Sequence, residues 1–199
     1  MSSLQSQIVT ANPAAAELNA MLRWARPYEM EIYRVALALT GDREGADRVL
    51  ASTVLSAWAD LVRPRNTNPS LLEVLRIAVS ESLAILRLRA GDLAGWIDEP
   101  ETELGRMDVT ALEWESDPSK CFAPREWRRI RELALESLVP LDRVVFVLRD
   151  IFRFSLEDSS ILTGRSEAAV KVRLVRARLR LREWLNPLCR VQQKEVEVA

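Results

Sequence analysis

The 199-residue sequence contains no histidine. That removes the commonest general base and metal ligand of proteins. Phosphate-cradling G-x-x-x-x-G-K-[ST], dinucleotide-type G-x-G-x-x-G and nucleophile-elbow G-x-S-x-G patterns are missing too, so neither catalysis nor a bound cofactor is expected. The two cysteines, Cys121 and Cys189, stand in no metal-ligand spacing and are read as thiols of a reducing cytoplasm. No stretch approaches the roughly 18 uninterrupted apolar residues of a membrane span. The opening MSSLQSQIVTANPAAAELNA lacks the basic start and apolar block of a secretory signal. A cytoplasmic protein without membrane insertion is the expectation. Glycines number only 6, and no Asn-Gly or Asp-Gly turn bounds an alternating run, so hairpins are not expected.

What remains is helical. Apolar positions recur at helical spacing through long Ala/Leu/Arg/Glu runs. They predict helices near 14–38, 43–62, 69–90, 124–137, 141–152, 156–163 and 167–185. The fold class is therefore all-α. Two helical domains, 21–91 and 121–190, are expected between a leader (1–20) and a tail (191–199), with 92–120 as linker. From Asp92 to Asp117 there are nine acids and one base, Arg106. Such a run is usually a solvated connector, although its Trp96 and Trp114 give it something to dock with.

Charge is concentrated oppositely near the carboxyl end. From Gly164 to Arg190 eight Lys or Arg residues face two acids, on a chain of net charge −1. A local excess of that size points to a polyanionic partner. Leu141–Asp150 reads as a buried support helix. Ser155 is placed to cap a short helix, Gly164 to end it, and Ser166 to cap the long run that follows. On that run Val170, Leu174, Ala177 and Leu181 form one apolar stripe. Arg173, Arg176 and Arg180 flank it on one side, with Lys171, Arg178 and Arg182 on the other. The pattern is that of a helix-turn-helix, with Arg165, Ser166, Lys171, Arg173, Arg176, Arg178 and Arg180 as candidate DNA contacts. Val172, Val175 and Leu179 fall opposite the stripe and are expected to form an exposed apolar strip.

These residues also carry a resemblance. Leu148-Arg149-Asp150, Ser155, Glu157, Gly164 and the run Val170–Arg178 through Arg182-Glu183 resemble the fourth region of the extracytoplasmic-function sigma factors of bacterial RNA polymerase. Upstream, Leu39-Thr40-Gly41-Asp42, Ala46 and Ala57-Trp58 resemble the opening of that family's second region. Leu71–Arg89 is similar to its promoter-opening helix.

The resemblance implies a carboxy-terminal unit reading the −35 element and an amino-terminal unit that binds core polymerase through Asp47, Arg48, Ala51, Ser52 and Leu55. It further implies −10 contacts from Arg76, Ser80 and Arg87, with core RNA polymerase, promoter DNA and an anti-sigma factor as partners. Arg48, Ala51 and Ser52 stand where the family carries two acids and an amide, which predicts weaker docking. Glu73, Ser80 and Ala84 likewise replace tryptophan, asparagine and aspartate in the promoter-opening helix. A sigma-like regulator that does not melt promoters, or that acts through another protein, therefore stays open beside the sigma factor. An unrelated dimeric helix-turn-helix repressor is the more distant alternative. It would read palindromic half-sites, and the order of the two modules argues against it.

Overall fold

The computed structural model describes residues 13–62, 68–91 and 122–198. The acidic segment Asp92–Asp117 lies outside the described residues, as does Cys121. Seven helices make up the described part: α1 (Pro13–Thr40), α2 (Arg43–Ala57), α3 (Leu71–Ala90), α4 (Pro124–Glu136), α5 (Pro140–Phe146), α6 (Leu156–Thr163) and α7 (Glu167–Val198). Helix α2 widens into a π turn over Trp58–Val62, and α5 does the same over Val147–Ile151. The protein is all-α, as the sequence pattern requires.

Local chemistry sets the helix ends. Asp42 caps α2, its carboxylate accepting from the Gly45 N–H at 2.7 Å. Ser70 and Glu73 form a reciprocal capping box at the start of α3, satisfying two N–H groups that otherwise lack partners. Pro124 and Pro140 each open a helix, where a missing N–H costs nothing. Helix α1 begins at Pro13, beside the expected start near 14 and within the stretch also read as leader. One end differs from expectation. Helix α7 runs through Pro187 to Val198 instead of stopping near residue 185.

Helices α1, α2 and α3 pack on one another, and α5, α6 and α7 form a second group. The groups are not separate beads. Helix α3 also packs against α5 and α6, so Ile32, Leu39, Val74 and Val79 share one buried cluster with Leu138, Val144, Leu148 and Leu162. A smaller cluster of Met21, Ala25 and Val54, with Leu50, Trp24 and Trp58 against it, closes the far end of the α1–α2 pair. The sequence placed Leu50, Val54 and Trp58 in this core, and they lie there. Trp58 meets Trp24 at 5.9 Å between ring centroids, tilted by 54°. Trp58→Ala should cost about 3 kcal/mol, the low end for a buried aromatic because part of the ring is exposed. A thermal melt that matches the wild type would show that the ring carries no packing energy.

Candidate nucleic-acid interface

The carboxy-terminal unit is built around a turn that only a few residues tolerate. Gly164 has φ +64° and ψ +31°, the left-handed region that a Cβ disfavours. Ser155 Oγ accepts from the Asp158 N–H at 2.9 Å, and Ser166 Oγ from the Ala169 N–H at 3.2 Å. Both serines thus cap the helices the sequence assigned to them. Ser160 Oγ donates to the Arg165 carbonyl at 2.5 Å, tying the turn to α6. Arg153, with φ +61°, makes the sharp corner between α5 and α6. The stripe Val170, Leu174, Ala177 and Leu181 is buried throughout. Val170 and Leu174 pack on Val145, Phe146 and Leu156, while Ala177 and Leu181 enter the main cluster.

The arginines beside that stripe do more than the sequence indicated. Asp142 on α5 is 3% exposed and Arg173 4%. Asp142 accepts from Arg173 at 3.2 Å and from Arg176 at 2.5 and 2.8 Å. Arg178 grips Asp150 through two bonds of 2.9 and 2.7 Å. Two aspartate clamps therefore fasten α7 to its support helix, one on each flank of the stripe. Such charge-assisted, bidentate pairs fix orientation as well as distance.

In a regular α-helix residues eight apart point about 80° away from each other. The π turn at Val147–Ile151 accommodates an extra residue, so Asp142 and Asp150 can both face α7. Sequence reasoning missed both acids as partners. Their one signal was two aspartates on a helix dense in apolar residues.

The other candidate DNA contacts lie differently. Lys171, Ser166 and Arg180 are exposed, Arg165 is half-buried, and Arg180 has an exposed ion pair with Glu183 at 3.6 Å. Arg173, expected to reach DNA, is turned into the protein. Arg176 and Arg178 stay partly exposed but are held by their aspartates. The expected apolar strip is not an open patch either. Val175 is 1% exposed, and Val172 and Leu179 are half-buried.

In the amino-terminal group, Asp47, Arg48, Ala51 and Leu55 share the outer face of α2, with Ser52 half-buried beside them. Arg48 pairs with Glu44 at 3.0 Å. Arg76, Ser80 and Arg87 are exposed on α3. Arg89, by contrast, reaches back to donate to the Thr40 carbonyl at 2.9 Å and to Asp42 at 2.6 Å. That bond holds the Asp42 carboxyl below its usual pKa, against a smaller opposing effect of burial.

A left-handed glycine turn between two capped helices, the second basic and clamped at a fixed angle, defines a helix-turn-helix protein. Residues 130–181 match the family described as sigma-70, region 4. ECF RNA polymerase sigma factor SigG from two strains of Mycobacterium tuberculosis is 27% identical over 169 residues. The match covers 78% of this chain and 46% of that protein, so the chain spans about half the length of the curated relatives it matches. The sigma factor RpoE of Bartonella quintana, solved in complex with the anti-sigma factor NepR, has a similar fold. Its TM-score is 0.55 at 18% identity, over 84% of this chain and 98% of that one. Residues 130–181 are thus similar to sigma-70 region 4, and the chain as a whole is similar to extracytoplasmic-function sigma factors.

Proposed function

We propose that the chain is a sigma factor that binds core RNA polymerase and directs promoter-specific initiation, with α6–α7 reading the −35 element. The observation that carries this is the capped, left-handed turn at Gly164 within the segment matched to sigma-70 region 4. The reading works in the cytoplasm, where the polymerase and its promoters are. Catalysis belongs to the polymerase, and the chain supplies only recognition. Lys171, Arg165, Ser166, Arg180 and the exposed edges of Arg176 and Arg178 would meet the duplex, largely at phosphates. Arg173 then acts through position, not contact. On α2, the outward face of Asp47, Arg48, Ala51, Ser52 and Leu55 is the surface for core polymerase. An anti-sigma protein is a further partner on this reading, given that the similarly folded RpoE was solved with one.

A second reading, a regulator that binds promoters without melting them, is favoured by one feature of α3. Its Glu73 is committed to the capping box and its Arg89 to Asp42. Only Arg76, Ser80 and Arg87 are left on the outward face to engage the −10 strand.

Core-polymerase capture followed by run-off transcription from genomic promoter fragments tests both. Capture with promoter-specific transcripts is the expected result, and Leu55→Glu should weaken capture at least tenfold without shifting the thermal melt. Capture with bound promoters but no transcripts selects the second reading. A chain that captures no core at all is not acting as a sigma factor.

A further inference from the structure

Where the two helical groups meet there is a cavity of about 670 Å³. Its wall carries Arg89 from α3, Arg143 from α5, and Arg176 and Arg180 from α7, against two acids, Glu136 and Asp142. Arg176 and Arg89 already have carboxylate partners. Arg143 does not. It is only 5% exposed, yet among the described residues its side chain makes no hydrogen bond and no ion pair, and its Nε is wholly enclosed without an acceptor.

The guanidinium lies over Gly41, where a Cβ would stand 3.1 Å from Nη2. A glycine at φ +83° thus makes room for it. Burial pulls the Arg143 pKa down, and Glu136, Asp42 and Glu132 act on it only at longer range. An arginine keeps its proton even so. Buried charges are normally paired, because leaving one unpaired costs far more than the pairing gains.

We propose that this cavity is a binding site for a nucleotide-sized organic phosphate, its phosphate held by Arg143 with Arg180 and Arg89 beside it. Arginine presents a planar fork suited to phosphate oxygens. Leu86, Ala90, Leu138, Val139 and Pro140 give the wall an apolar portion that suits a ring or base, with the Thr40 and Ser137 hydroxyls beside it. The volume falls within the usual range for small-molecule sites, about 300–1,000 Å³. Because the lining comes from both helical groups, an occupant stabilises their packed arrangement. It also engages Arg176 and Arg180 on the basic helix, so it opposes duplex binding there. The site stands on Arg143 and the cavity, whether or not the chain directs transcription.

The test uses the full chain in phosphate-free buffer. Thermal melts are compared with pyrophosphate, ATP, GTP and sodium chloride at matched ionic strength, for the wild type and for Arg143→Met. At about a hundredfold excess over Kd a nucleotide should raise the wild-type midpoint by about 5 °C or more. Arg143→Met should melt at or above the unliganded wild type, because an unpaired charge has been removed, and should lose the nucleotide shift. Arg180→Gln, a change at an exposed side chain, should leave the unliganded melt in place and weaken nucleotide binding about fivefold.

Three results overturn the proposal. One is Arg143→Met melting below the unliganded wild type, which would mean that the arginine already has a partner. Another is pyrophosphate matching the nucleotides, which reduces the site to a simple ion site. The last is that no small phosphate outperforms salt while duplex binding alone depends on Arg143, which assigns the cavity to the DNA interface.

Discussion

Asp142→Ala should lower the unfolding free energy by about 3–5 kcal/mol, the cost of breaking a buried ion pair from one side. The carboxylate accepts all three bonds described from Arg173 and Arg176. Its loss leaves the Arg173 guanidinium inside the protein without that counter-charge. At roughly 2–4 °C per kcal/mol for a chain of this size, the melting midpoint falls by about 10 °C or more. Arg173→Ala should cost less than Asp142→Ala, because Arg176 still neutralises the carboxylate. Differential scanning calorimetry of the two variants reads the difference. Equal and small shifts would show that the clamp contributes orientation but no stability. The same clamp alters how a DNA-binding defect at Arg173 should be understood. Lost affinity there would come from a loosened α7, and it would be accompanied by a lower melt.

The largest effect on binding itself is expected from the side chains not committed to the clamps. Replacing Arg165, Lys171 and Arg180 together by Ala removes about three phosphate-facing charges. Each phosphate contact contributes about 0.9 to the slope of log affinity against log salt, so the slope should flatten by about 2.7. Between about 50 and 200 mM salt the wild type should then lose about fortyfold more affinity than the variant. Fluorescence anisotropy with a promoter duplex measures it. Parallel salt dependences for the two proteins would place the DNA on another face. The melts should stay close together, since Lys171 and Arg180 are exposed and Arg165 is only half-buried, and surface substitutions are usually worth under about 0.5 kcal/mol.

The packed arrangement bears on how such a protein would be switched. Helix α3 lies against α5 and α6, so the two proposed promoter-reading surfaces are fastened together through one apolar cluster. A ligand bridging Arg89 and Arg143 would hold that packing in place. Asp142 and Asp150 already occupy three arginines of the basic helix from within the carboxy-terminal unit.

Much of this protein is set locally and is therefore readable from the chain. The seven helices, both serine caps, the glycine turn and the apolar stripe on α7 depend on neighbours within a few residues, through backbone hydrogen bonding and the 3.6-residue period. Basic charge on the last helix is equally a property of the sequence. The end of α7 differs from the end near 185 expected from its apolar period, because the helix continues through Pro187 to Val198.

What the tertiary structure decided is the use of each charge. Arg173, Arg180 and Arg143 are the same residue type, but one is buried against Asp142, one lies in solvent, and one is enclosed beside a cavity with no partner at hand. Periodicity gives the face on which a side chain starts. It does not give the acid waiting 31 residues away, nor the packing of α3 on α5 that leaves a cavity at the seam. Those follow from contacts between segments distant in sequence, whose energies depend on burial and on the partner opposite, and no local pattern encodes either.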